Sequence, residues 1–299
     1  MAQIHLLVGA ESQSAAPTVR RITYADLLDA LARGWDDFAD MPSHALFLCA
    51  IYPAVGIMLA GLTLGFAILP LLYPLAAGFA LLGPFAAIAL YEISRRREAG
   101  ANSVTAADAL NALNTPSTDA IAALGMLLLG LFVTWIAVAH DIYVDNFGYA
   151  APASIDAFVH DMLFTRAGWT VIVVGNGVGL LFAAIALSIS VVSFPLLLDR
   201  DVGAAAALVT SVRVVLANPV TIALWGFIVA ALLVAGSLPA FVGLAVILPV
   251  LGHASWHLYR KVVVPAEQAR PDYGPPSRDG RRYAADFPAV LLPWFREDL

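Results

Sequence analysis

Four side chains could do chemistry inside long uncharged stretches: Glu92, Asn176, His253 and His257. An ionisable group in such a place either moves protons or bonds across helices. His253 and His257 are four residues apart and share a helix face. Glu92 and His257 are the best candidate pair, a proton-responsive couple or part of a polar pathway. The plainer alternative is an inter-helix hydrogen bond, or side chains reaching the headgroup layer beside Arg95 and Arg260. The two histidines could offer nitrogens to haem or a metal, but no partner set accompanies them. Asn176, in the run GNGVG, could touch a solute; more often such a residue bonds across helices while Gly175 and Gly179 allow close packing. A second set, His140, Asp141, His160 and Asp161, flanks one loop. Nitrogen and carboxylate ligands there could hold a divalent cation, although no tight ligand spacing supports it.

Other chemistry finds no footing. Gly175, Gly177 and Gly179 follow no strand and precede no lysine, so they are not a phosphate loop. No Ser-His-Asp set shares one water-accessible layer. Ser188, Ser190 and Ser193 are expected to bond their own helix carbonyls. Cys49 is the one cysteine, so no intrachain disulfide can form, and it fits no metal motif. The sequence therefore predicts no catalytic residue, no cofactor and no metal.

The elements that hold these residues follow from composition. The chain has 299 residues, 61% of them apolar and only 13% charged. Soluble domains carry nearer 25% charged residues. The deficit excludes an ordinary soluble globule, a disordered chain and a nucleic-acid binder. What remains is an all-α, polytopic transmembrane helix bundle in contact with the lipid bilayer. Pro42 to Tyr91 contains no Asp, Glu, Lys or Arg, and neither does Val214 to Tyr259. Each run is long enough for a helical hairpin, since one span needs about 20 residues. The first places spans near 44–65 and 68–91, turning at Gly65 and Phe66. Pro53, Pro70, Pro74 and Pro84 predict kinks, and Gly61 with Gly65 a close helix approach. The second run places spans near 219–236 and 239–259, turning at Gly236-Ser237. A third span near 120–139, ending at His140-Asp141, and a fourth from about 169 to Asp199 complete six. Residues 142–168 between them read as a polar, aromatic loop.

Two amphipathic helices flank the hairpins. Residues 22–40 repeat Ile22, Leu27, Leu28, Leu31, Trp35 and Phe38 at spacings near three and four, with Thr23 and Asp26 as a capping signal. The opposite face holds Asp26, Asp29, Arg33, Asp36 and Asp37. Such a helix lies on the membrane surface or against the bundle. Residues 202–218, carrying Arg213, form the second. Residues 1–21 are a polar leader without signal-peptide character, residues 99–119 a polar linker with a capping signal at Thr105 and Asp108, and 265–299 a Pro- and Arg-rich tail. Its AVLLPWF stretch could touch the interface. The membrane domain is 22–264.

Charge sets the orientation. Of the 16 basic residues, only Arg166 falls in the loops after spans one, three and five. The positive-inside rule then puts both termini in the cytoplasm. The segments GFALLGPFAAIALYEISRRR (78–97) and GLAVILPVLGHASWHLYRKV (243–262) align without a gap, sharing Gly78 with Gly243, Pro84 with Pro249 and Arg95 with Arg260. The units 22–98 and 202–263 thus read as a duplication, each a surface helix, a proline, a hairpin and a basic stop. Both hairpins start and end on one side, so the repeats are parallel rather than inverted.

The runs GWDDFADMP, AGFALLGPFAAIALYEISRRRE, SISVVSFPLLLDRDV, SVRVVLANP and LPVLGHASWHLYR together resemble one bacterial family of predicted integral membrane proteins, domain of unknown function 2189. The resemblance extends from about Ala25 to Val263. It implies a multi-pass protein of the bacterial inner membrane and brings no activity, substrate or functional residue with it. Some members carry a label linking them to subunit one of cytochrome c oxidase; haem-copper chemistry needs more intramembrane histidines than the spans offer. The first functional expectation is a non-enzymatic accessory or assembly protein with a membrane-protein partner. The second is a carrier or channel for a small or lipidic solute. A membrane-embedded enzyme or redox protein ranks third.

Overall fold

The computed structural model describes residues 17–40, 69–100, 115–239 and 241–265. Among them the chain is helical, and one isolated antiparallel bridge joins Val19 to Val263. Helix α1 is Tyr24–Asp40. The segment Leu69–Glu98 is broken into a 3-10 turn Leu69–Leu71, α2 (Leu72–Phe79), a 3-10 turn Ala80–Leu82, α3 (Gly83–Ala86) and α4 (Ile88–Glu98). Prolines account for this fragmentation. Pro84 lacks an N–H and occupies the start of α3, where that loss costs nothing.

Helix α5 runs Thr118–Phe147, α6 Ile155–Phe164, α7 Arg166–Ser190, α8 Ser193–Asp199, α9 Ala204–Ala217, α10 Pro219–Ser237 and α11 Leu244–Val262. Four stretches are long and apolar enough to cross a bilayer: Leu69–Glu98, Thr118–Phe147, Arg166–Asp199 and Pro219–Ser237. They correspond to the expected second to fifth spans. The expected first span, with Gly61 and Gly65, lies outside the described residues, as do Cys49 and the linker capping signal at Thr105 and Asp108.

The structure departs from the sequence reading in three places. His140-Asp141 does not stop α5, which continues to Phe147 and ends at Gly148, whose φ of 75° a glycine adopts freely. Charged groups are tolerated there because the last turns of a helix about 45 Å long extend past the hydrocarbon layer. The expected loop 142–168 contains α6, started by Ser154, whose hydroxyl accepts from the Ala157 N–H at 3.0 Å. Thr165 caps α7 in the same way through Gly168. Finally, the expected sixth span forms α11, but it is not among the four long apolar stretches. Its second half, from Leu251 to Val262, is largely buried against protein.

The main cover of α11 is α1, which lies along it in the opposite direction. Leu27, Ala30, Gly34 and Phe38 form the buried face of α1. A Cβ on Gly34 would stand 2.6 Å from the Ala254 nitrogen and 2.7 Å from the Val250 oxygen. The helices therefore touch backbone to backbone. The expected capping box is present: the Asp26 carboxylate accepts from the Thr23 N–H at 2.8 Å and its hydroxyl at 2.9 Å. The α10–α11 turn likewise depends on small residues, since a Cβ on Gly243 would meet the Gly236 Cα at 2.8 Å.

Candidate functional site

The polar side chains collect where α1, the end of α4 and the second half of α11 meet. Asp37 sits at the centre. Its Oδ1 accepts from Arg97 Nη1 at 2.6 Å, and its Oδ2 accepts from the Ser94 hydroxyl and from His257 Nε2 at 2.9 Å. Ser94 Oγ also lies 2.8 Å from His253 Nδ1. An ionised carboxylate can only accept, so the single hydroxyl proton goes to Asp37. Ser94 must then accept from His253, which carries its proton on Nδ1; among the described residues the wholly buried Nε2 has no partner within hydrogen-bonding geometry. The result is a chain of donors, His253 to Ser94 to Asp37, met at the same carboxylate by His257.

Burial by itself would raise the Asp37 carboxyl. The hydrogen bonds from His257 and Ser94, with the charges of His257 and His253, outweigh it and hold the group below the ordinary carboxylate value. Asp29 is also lowered, by hydrogen bonds from Lys261 and Arg33. Asp26 is lowered chiefly by the Thr23 backbone N–H.

A second tier of pairs surrounds this core. Glu98 accepts from Trp256 Nε1 and Arg260 Nε, both at 3.0 Å. Lys261 reaches Asp29 at 2.8 Å and Asp26 at 3.4 Å. Tyr259 donates to Asp199 at 2.6 Å, and Arg97 also bonds Asp40. Asn218 ties the start of α10 to the lead into α1: its Oδ1 accepts from the Ile22 N–H at 2.8 Å and its Nδ2 donates to the Arg20 carbonyl at 3.0 Å. Between these groups opens a cleft of about 390 Å³. Its cations are Arg33, Arg97, Arg260 and Lys261; its carboxylates are Asp37 and Glu98; Ser94 and His257 complete the wall.

Glu92 and His257 do not meet. Glu92 is buried and accepts from Arg95 at 2.7 and 2.8 Å and from Arg96 at 2.7 Å, all on its own helix. His253 and His257 do share a face, and both are directed to Asp37. Asn176 bonds the Ile172 carbonyl at 2.8 Å and accepts from Tyr73 across the bundle at 2.7 Å. Gly179 lies under the Trp135 ring, 3.0 Å from its would-be Cβ, whereas Gly175 faces open space. Ser188, Ser190 and Ser193 bond the carbonyls of Ala184, Ala186 and Ile189, as expected. At the far end His160 stands 3.8 Å from Asp161, both exposed, and His140 lies against the Tyr149 ring. Among the described residues no three His, Cys, Asp or Glu side chains gather as metal ligands.

Asp37, Ser94, Arg97 and Glu98 were not singled out from the sequence. One signal was available for Asp37. It lies three residues after Gly34 and seven after Ala30, so it belongs to the apolar face rather than to the solvated one.

The lengths and hydropathy of the four apolar stretches indicate a membrane protein, and one comparison agrees. Residues 71–199 match the family described as Predicted integral membrane protein (DUF2189). This bears out the resemblance read from the sequence, over a shorter part of the chain. The DUF2189 match runs from the start of α2 to the end of α8. It includes Ser94, Arg97 and Glu98 and leaves out α1 and α11, and with them Asp37 and both histidines of the cluster. No curated protein and no solved structure matches the chain significantly.

Proposed function

We propose that the protein acts by contacts, as a non-enzymatic accessory or assembly protein of the bacterial inner membrane. We read it as six spans in two parallel repeats, with both termini on the cytoplasmic side. The observation that carries the functional reading is where the polar groups go. Within the four apolar stretches, hydroxyls turn back onto their own helices: Thr134 onto Gly130, Ser188 onto Ala184 and Ser237 onto Leu233. The Tyr73–Asn176 bond ties two helices together. Apolar side chains such as Met126, Leu180, Val220 and Phe227 face outward, giving a surface suited to lipid or to other membrane helices. Among the described residues, the ionisable groups that interlock across helices gather at one end, where α1, α4 and α11 meet.

The basic residues support the orientation, since the ends of α4, α8 and α11 converge with α1 at that same end. Parallel packing of α4 on α11, with Leu90 against Gly252 and Glu98 against Arg260, agrees with repeats related about an axis along the membrane normal. The test is extraction without denaturation, followed by native mass spectrometry. A stoichiometric membrane-protein companion is expected. A chain that runs alone from its own membrane, or that moves solute across liposomes, would overturn the reading.

A further inference from the structure

The cleft between α1, α4 and α11 presents more cationic than anionic side chains: four against two. The remaining partners of those cations, Asp26, Asp29, Asp40 and Asp199, reach them from outside the cleft lining. They hold the cations in place without closing the opening. Donor capacity is left over. Arg33 uses Nε on Asp29, and among the described residues neither of its Nη groups has a hydrogen-bond partner. Arg260 uses Nε on Glu98, and its Nη1 lies 3.7 Å from Asp199, too far for a hydrogen bond. Two guanidiniums and the Lys261 ammonium thus face one opening with unfilled N–H groups.

We propose that this cleft binds a phosphate group, held by Arg33 and Arg260 with Lys261 as a third cation. Guanidinium forks match phosphate oxygens in pairs, and an ammonium adds a movable point charge. The volume falls within the range of about 300–1,000 Å³ typical of small-ligand sites, so the phosphate can carry an organic group. Because carboxylates lie close by, recognition rests on donor geometry more than on the surrounding field. The group is either a soluble phosphate ester or the headgroup of an anionic lipid, for which basic pockets beside membrane helices are suited. This proposal does not depend on the contact function above.

The test uses the full chain in detergent and in nanodiscs. Calorimetric titration with inorganic phosphate and glycerol phosphate probes the soluble source. Native mass spectrometry from nanodiscs of phosphatidylglycerol mixed with phosphatidylcholine probes the lipid source. Binding in the first arm assigns a soluble ester; retention of phosphatidylglycerol alone assigns a headgroup. Arg33→Ala with Arg260→Ala should weaken the positive arm at least tenfold, while Arg166→Ala at the far end leaves it unchanged. If the double alanine variant does not fold, Arg33→Gln with Arg260→Gln replaces it. No binding in either arm, or binding that persists in the double variant, overturns the proposal.

Discussion

The two ends of the bundle use charge in opposite ways. Where α1, α4, α8 and α11 converge, carboxylates and cations interlock across elements far apart in sequence: Asp37 with Arg97, Glu98 with Arg260, Asp29 with Lys261. At the other end, between α5 and α7, Asp141, Asp145, Asp156 and Asp161 stand with a single arginine, Arg166, and no lysine, and the His160–Asp161 pair is exposed. One end is built, because charges removed from water must be matched. The other leaves its His160–Asp161 pair open to solvent. Scarcity of charge in the spans concentrates structural specificity at one boundary.

The largest way to break this contrast is Asp37→Ala. It strands Arg97, His257 and Ser94 in a partly buried site, and removing one partner of such a set costs about 3–5 kcal/mol. Thermal unfolding in detergent should show a large drop, with α1 becoming sensitive to proteolysis. Acid should do the same reversibly. Asp37 and Asp29 have folded values below their unfolded ones, so their stabilisation is complete above the unfolded value of about 3.9 and is lost as pH falls through the folded one. Hydrogen exchange followed from pH 6 to pH 3 should show α1 opening before α6. Simultaneous opening would remove the distinction between the ends.

Asn218→Ala comes next. It leaves the buried Ile22 N–H without its acceptor and removes two donor bonds, to Arg20 and to Val214 at 3.2 Å. The expected cost is about 1–3 kcal/mol, the penalty of one unsatisfied buried donor. Asn218→Asp restores the acceptor but not the amide donors, and should recover part of the loss in the same thermal assay.

How legible this was in the sequence follows from the length scale of each interaction. The four described apolar stretches and the Thr23–Asp26 cap are local in sequence and readable there; the α10–α11 turn follows Ser237, just past the expected Gly236-Ser237. So was the return of Ser188, Ser190 and Ser193 to their own helices, because the acceptor is four residues back. The Asp37 cluster was only half visible. His253 and His257 stood out by rarity, and Glu92 was paired with His257 by alignment of the repeats. The structure instead gives His257 to Asp37, 220 residues away, and Glu92 to Arg95 and Arg96. No periodicity encodes which carboxylate a histidine meets across three helices. Helix α6 was missed for a different reason: its ten residues are short and carry His160, Asp156 and Asp161, so composition resembled a loop, and the Ser154 cap was the overlooked signal.

The smallest effects sharpen the comparison from within the bundle. Tyr73→Phe removes one hydroxyl that donates to Asn176 across helices. Cross-helix hydrogen bonds in membranes average about 0.6 kcal/mol, so a small but resolvable loss of thermal stability is expected, and Asn176→Ala should cost little more because the two losses share one bond. A double-mutant cycle measures that coupling. Replacing His160 with Ala sets the floor. The side chain is exposed and its nearest carboxylate is 3.8 Å away, so the change should stay within about 0.5 kcal/mol. A loss at His160 as large as that at Tyr73 would mean that the far end, too, is held by its charges.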